Sequence, residues 1–414
     1  MDLSTSLHTS ELSEVISWFD DNFGNYLSRR IKTIKDTETT NPFYRFYTQQ
    51  AFALELSIEK IRRLNRKFRA LPTDASTAAG YQFATMAKRV HAQLRPAEAK
   101  RFMGNIRGSF QVDSGLRPIA YELAMVAHIA NKGFSLECPD LSNEVGYRPD
   151  IFARRGQEEI EIECKTTSLD KGRKVHIKDL CQVAKHLVPI FDACLREGGV
   201  HLATIEVPNR LVSREPEISG VKVALEKAIS ASGDYSNAYA SVRYRPPQVT
   251  SRNVGLASGD SRDEYFRSLF KLEFGISDGL ILTRAKPEFG AFSILARSAA
   301  AEAIFDAFIA EAKDAADQFS GRIPAVVAMQ LPDLSEQQMD TLIRGPSGLH
   351  LIADALFRDG RRNHVDSIVF TSNAVLTATD LINISRVGGP GAIIHNPNPA
   401  YPSVAARSLF SRAR

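Results

Sequence analysis

No pair of cysteines in this chain stands in CxxC spacing. The four present, Cys138, Cys164, Cys181 and Cys194, are scattered. That argues against a zinc knuckle or a redox pair and suits small buried hydrophobes. No apolar run approaches the length of a membrane span. The opening stretch "MDLSTSLHTSELSEV" has neither the basic start nor the apolar stretch of a secretion signal. A cytoplasmic protein without membrane contact is the expectation. The formal net charge is only +4, too mild to imply a polyanionic partner unaided. A Walker A loop is missing, as are HExxH and GxSxG, which removes a built-in ATP motor, a zincin and a hydrolase elbow. "GGPGAIIHNPNP" carries glycines without the strand–helix context of a dinucleotide loop, and reads as a turn-rich loop.

What is present is soluble and globular in composition, with 43% hydrophobic and 24% charged residues over 414 positions. That length implies more than one folding unit. Residues 1–112 read as a helical, basic region. Leu12, Val15, Ile16, Phe19, Phe23 and Leu27 recur at helical spacing, as do Ile58, Ile61, Leu64, Phe68 and Leu71. The second helix carries Lys60, Arg62, Arg63, Arg66, Lys67 and Arg69, and no acid occurs from Lys60 to Thr73. Two explanations stand side by side. One is a solvated surface, with Glu59 pairing Arg63 at i+4. The other is a nucleic-acid phosphate surface that relieves the self-repulsion.

From Arg117 the pattern becomes helix, strand, hairpin, helix, strand. "RPIAYELAMVAHIANKG" reads as a helix entered through Pro118 and stopped at Gly133. "FSLECP", "PDIFARR" and "EEIEIECKTTS" read as strands. "HIKDLCQVAKHLVPIFDACLREGG" reads as an amphipathic helix, and "GVHLATIEVP" as a strand. A core unit over 113–210 is the expectation. Residues 211–414 read as an α/β region of unassigned role that either extends the core sheet or forms its own lobe. "FRDGRRNH" there brings Arg358, Arg361 and Arg362, as phosphate contacts or as helix caps.

The chemistry concentrates in one strand. Alternation places Ile160, Ile162 and Cys164 on one face, and Glu159, Glu161, Glu163 and Lys165 on the other. Asp150 stands on the opposing arm of the hairpin. Two carboxylates on adjacent strands can hold a hard divalent cation with positions left for water and phosphate. Lys165, beside two acids, should stay protonated and serve orientation and charge stabilisation. Glu122 lies in a helix that is nearly all apolar, so burial would require it to find a partner; otherwise it faces water and complements the helix dipole. Lys178, Gln182 and Lys185 share the polar face of the later helix, as phosphate or water contacts or as plain surface.

"PDIFARRGQEEIEIECK" resembles the signature of the PD-(D/E)XK nuclease superfamily, the restriction-endonuclease-like fold. Pro149-Asp150 matches the PD element and Glu163-Cys164-Lys165 the ExK element. Glu122 matches the acid of the preceding core helix. Gln182 falls where RecB-like members carry a glutamine, but His186 stands where their tyrosine follows. The resemblance implies an α/β fold with a mixed central sheet flanked by helices, and Mg²⁺ dependence with Mn²⁺ as a substitute. It also implies metal ligands Asp150, Glu163 and Glu122, with Lys165 and Gln182 completing the catalytic set.

A Mg²⁺-dependent DNA endonuclease of restriction or foreign-DNA defence type is therefore the expected function, acting alone, as a homodimer or with a partner protein. An RNA nuclease or structure-selective resolvase on the same core is one alternative. A non-catalytic nucleic-acid-binding or assembly protein is the other.

Overall fold

The structure is a computed structural model that describes residues 1, 8–68, 75–142, 146, 148–168, 170–247, 260–286, 289–331, 336–344, 348–372 and 391–410. The chain divides into two compact units: Met1–Ile34, Gln49–Lys171 and Phe305–Arg414 form one, and Lys35–Thr48 with Gly172–Ile304 the other. Each contains a mixed sheet flanked by helices.

The chain begins with helices α1 (Leu12–Thr40), α2 (Tyr44–Ala51), α3 (Ala53–Phe68), α4 (Ala75–Gln93), α5 (Pro96–Ser109) and α6 (Arg117–Asn131). The region read as helical from its apolar spacing is helical. Helix α6 buries Ile119, Tyr121, Leu123, Met125, Val126 and Ile129, and packs against a central strand of the first sheet. Its start is secured from outside. Buried Glu55 of α3 accepts a hydrogen bond from the Leu116 N–H at 2.9 Å, satisfying one of the donors that a helix N-terminus leaves unpaired.

After α6 come β1 (Ser135–Glu137), a short 3-10 turn (Pro139–Leu141), β2 (Ile151–Arg155) and β3 (Glu158–Thr166). β1, β2 and β3 form an antiparallel meander in which Ile151 faces Ile162. Gly156, at φ +62°, makes the tight reversal between β2 and β3.

The second unit follows. It holds α7 (Ile177–Glu197), β4 (Gly199–Val207), α8 (Glu217–Ser230), β5 (Asp234–Ser236), β6 (Ser241–Arg245), α9 (Asp260–Phe274), β7 (Leu280–Lys286) and β8 (Gly290–Ser298). Its sheet runs β5-β6-β4-β8-β7, with β4 and β8 parallel.

The chain then returns to the first unit through α10 (Ile304–Ala316), β9 (Ala325–Gln330), α11 (Glu336–Arg344), α12 (Leu349–Phe357), β10 (Val365–Thr371), β11 (Gly391–His395) and α13 (Val404–Leu409). The first sheet is thereby completed as β1-β2-β3-β9-β10-β11, with β3, β9 and β10 parallel. β9 is an uninterrupted buried run, AVVAMQ, as expected of a parallel strand covered on both faces. Helices α10, α11 and α12 supply one cover, through a core that includes Val327, Met329, Ile352, Leu356 and Phe370.

Two sequence expectations are revised here, and one left open is decided. The core expected over 113–210 is shared between the units, because α7 and β4 belong to the second unit. The helix and strand that close the first sheet are α10 and β9, so the C-terminal region extends the core sheet. "GAIIH", within the stretch read as a loop, is edge strand β11, paired antiparallel to β10.

The longer segment of the second unit, Gly172–Ile304, begins and ends at one neck. The Gly172 carbonyl accepts from the Ala303 N–H at 2.8 Å, and the Lys174 N–H donates to the Glu302 carboxylate at 2.7 Å. Gly172 has φ +73°, and a Cβ there would fall 2.4 Å from the Ala303 carbonyl oxygen. Gly172→Ala is expected to cost about 1–3 kcal/mol, read as a lower denaturant midpoint in chemical unfolding. An unchanged midpoint would show that the neck is not held as described.

Candidate active site

β3 is a central strand, and the middle of its charged face, Glu161 and Glu163, is removed from solvent, while Glu159 near its start stays partly exposed. Glu161 is 5% exposed and Glu163 2%. Burying carboxylates is costly unless their oxygens are satisfied, and here they are. Glu161 accepts from the Ser320 N–H at 2.9 Å. Glu163 accepts from the Asp150 N–H at 3.1 Å through one oxygen and from the Lys165 ammonium at 2.7 Å through the other.

The β2–β3 register sets this up. Ile151 faces Ile162, so Asp150, just before β2, arrives beside Glu163. The Asp150 carboxylate in turn accepts from the Cys164 N–H at 2.7 Å. Asp150 and Glu163 thus hold each other's strands, each side chain bonded to backbone on the opposite arm. Lys165 completes the group, with its side chain 26% exposed and its ammonium on Glu163.

Glu122 joins from α6, half-buried, near enough to Asp150 and Glu163 for their charges to act on it. Asp140, on the 3-10 turn after β1, does the same with Asp150 and Glu122. Asp140 had no place in the sequence expectation. Its signal was present: Pro139-Asp140 repeats the Pro-Asp dipeptide ten residues before Pro149-Asp150.

Burial raises all four carboxyls, and the charges of neighbouring carboxylates add to it at Glu122, Asp140 and Glu163. Burial first, then the Asp150 charge, lifts both Glu163 and Asp140 to about 7. Burial lifts Asp150, and burial with Asp150, Asp140 and Glu163 lifts Glu122 well above the carboxylate range. For Lys165, burial pulls downward, but the Glu163 charge and hydrogen bond and the Asp150 charge outweigh it and hold the ammonium above its ordinary value. The expected protonated lysine is what this environment favours.

Among the described residues, no group of three or more His, Cys, Asp and Glu side chains is disposed to hold a metal ion as it stands. The chemistry of the donor set nonetheless fits a hard cation: several carboxylates crowd together, their charged forms disfavoured by one another.

Other predicted residues belong to other elements. Gln182, on α7 of the second unit, donates to the Tyr44 hydroxyl at 2.9 Å. Lys178 and Lys185 are exposed on that same helix. Of the basic run on α3, Lys60 and Arg63 are exposed, and Arg63 pairs with Glu59 at 2.7 Å. Arg62 is a correction: it is 6% exposed and ion-paired to Asp20 and Glu59, so it braces helices rather than meeting phosphate. Arg66 and Lys67 fall on α3 with side chains outside the described set, and Arg69 lies outside the described residues. Arg362 is likewise buried and paired with Asp317 and Asp359.

No protein-family model, curated protein or solved structure matches the chain. No helix among the described residues is long and apolar enough to cross a membrane.

The raised carboxyls give a sign for stability. A group whose pKa is higher folded than unfolded stabilises the fold while protonated in both states, and that stabilisation is lost as pH rises through the folded value. For Asp140 and Glu163 the window runs from about 4, their ordinary range, to about 7. In chelator, the melting temperature is expected to fall from pH 5 to pH 8, and Glu163→Gln to flatten that fall. A melting temperature that climbs with pH would contradict the described crowding.

Proposed function

We propose that the chain is a metal-dependent nuclease that hydrolyses phosphodiester bonds, with the first unit as a restriction-endonuclease-like core. The observation that carries this is the convergence of Asp150, Glu163 and Lys165, linked by hydrogen bonds around the buried Glu163 at the end of the β2–β3 hairpin. The supporting topology is the order helix, meander, helix, parallel strand, supplied by α6, β1–β3, α10 and β9. The segment Gly172–Ile304, the larger part of the second unit, is then an insertion between the meander and the closing helix.

Asp150 and Glu163 would hold Mg²⁺, with Glu122 assisting, and Mn²⁺ as a substitute. The bound ion supplies Lewis acidity toward a phosphate oxygen and a more acidic water. The protein's own contribution is positional and electrostatic. The Asp150–Cys164 and Glu163–Asp150 hydrogen bonds fix both carboxylates on rigid strands, so little reorganisation is needed at the reaction. Lys165, kept cationic by Glu163, is placed to orient the attacking water and to offset charge building on the phosphate. Among substrates, duplex DNA is our first choice, in a restriction or foreign-DNA defence role. RNA or branched DNA on the same site is the alternative.

A second proposal draws on the same bonds. The Asp150–Glu163–Lys165 group would serve only to lock the hairpin of a non-catalytic nucleic-acid-binding protein; the lack of a ready-made three-ligand grouping among the described residues favours it.

Cleavage assays on duplex DNA, single-stranded DNA and RNA separate the two. Wild type should cut at least one substrate with Mg²⁺ and none in chelator. Asp150→Ala and Glu163→Gln should lower the rate about a hundredfold or more, while Lys165→Arg should retain more activity than Lys165→Ala. If wild type and Asp150→Ala behave alike on every substrate, the catalytic proposal is lost.

A further inference from the structure

Gln330 has no role in the chemistry above, yet it occupies a set position beside it. It is the last residue of β9, in register with Thr166 and Thr371, the last residues of β3 and β10. These parallel strands therefore end together in a polar row, one residue beyond Lys165. In open α/β sheets, ligands bind outside such carboxyl ends. Thr371 donates to the hydroxyl of Tyr121 at 3.2 Å, so the row lies on the side of the sheet that α6 covers. Lys165 precedes Thr166 and projects from the other side; a chain laid across the strand ends meets both.

The oxygens of Gln330 are held by its neighbours. Its backbone carbonyl accepts from the N–H and the hydroxyl of Thr167, each at 3.0 Å. Its side-chain oxygen accepts from the Thr166 hydroxyl at 3.4 Å. The amide nitrogen is left over, and it donates to nothing among the described residues. Gln330 is only 7% exposed, and an amide set that deep without an acceptor is costly. The nitrogen is nonetheless open to solvent. Held oxygens and two free N–H groups make a preorganised donor pair that lacks only its acceptor. The donors carry no full charge and stand beside a site assigned to phosphodiesters, so the fitting acceptor is a phosphate oxygen.

We propose that Gln330 binds the substrate, donating its side-chain N–H groups to a non-bridging phosphate oxygen of a nucleic-acid backbone laid across the strand ends. This rests on the nucleic-acid reading of the preceding subsection, shared by its catalytic and non-catalytic forms, and adds a contact that neither contains.

The test is binding of fluorescein-labelled duplex DNA, single-stranded DNA and RNA by the full chain. Anisotropy is followed in Ca²⁺, which holds cleavage back, alongside the melting temperature. Gln330→Met keeps the length of the side chain and removes its donors. It should weaken binding of the preferred nucleic acid about tenfold and leave the melting temperature equal or higher, because a partnerless amide is gone. Gln330→Glu keeps an acceptor for Thr166 but sets a carboxyl against phosphate, and should bind more weakly still. A methylphosphonate, which replaces one non-bridging oxygen, should lower wild-type affinity at one backbone position and lower that of Gln330→Met no further there. Wild-type affinity in Gln330→Met overturns the role of Gln330 and leaves the site reading standing. Weakened binding with a lowered melting temperature also overturns it, since general damage then accounts for the loss. Losses from Gln330→Met and methylphosphonate that add at every position overturn the phosphate contact. A wild type that binds no nucleic acid overturns this proposal and the reading beneath it.

Discussion

The structure of the first unit depends on a reciprocal pair of hydrogen bonds. The Asp150 N–H donates to Glu163, and the Asp150 carboxylate accepts from the Cys164 N–H. Each acid thereby bonds to the backbone of the opposite arm at the point where β2 begins. The cost of burying Glu163 is partly offset by two donors, one backbone and one ammonium. The same bonds that end the hairpin also bring the carboxylates into one group, so strand register and site geometry are one constraint. A one-residue slip between β2 and β3 would turn Glu163 and Lys165 to the opposite face.

That local character explains what could be read from the sequence. The hairpin, α6 and the Asp150–Glu163 pairing are all encoded within about fifty residues, by alternation, by Pro118 and by the turn at Gly156. The buried state of Glu161 and Glu163 was less legible. Three acids on one face suit a wet surface equally well, and only the arrival of β9 decides against it. β9 pairs across a long gap: Thr167 and Gln330, hydrogen-bonded at 3.0 Å, are 163 residues apart.

The closing elements were misread for a related reason. α7 and β4 have the amphipathic and alternating patterns that a core helix and strand should have, and they do form a sheet, but a different one. Periodicity reports that a face is buried and is silent on which partner buries it. Arg62 shows the same limit inside a helix. Its neighbours in sequence are basic, while its ionic partner Asp20 lies on α1. β11 was obscured by the glycines and prolines around it, which are tolerated at a sheet edge. Asp140 carried the right dipeptide but sits on a turn, outside any strand pattern that would have marked it.

The neck at Gly172 and Ala303 bears on how the chain folds. The sheet's β3–β9 pairing closes a very long loop, a contact that is slow to form in an open chain. An intervening segment that folds on itself, and ties its two ends together at one carbonyl–amide bond, shortens that search. Once Gly172 and Ala303 have met, the remaining route from β3 to β9 is only α10 and its connections. Closing the Gly172–Ala303 contact thereby leaves only a short link between β3 and α10, and it is closed by a segment that contributes no strand to the first sheet.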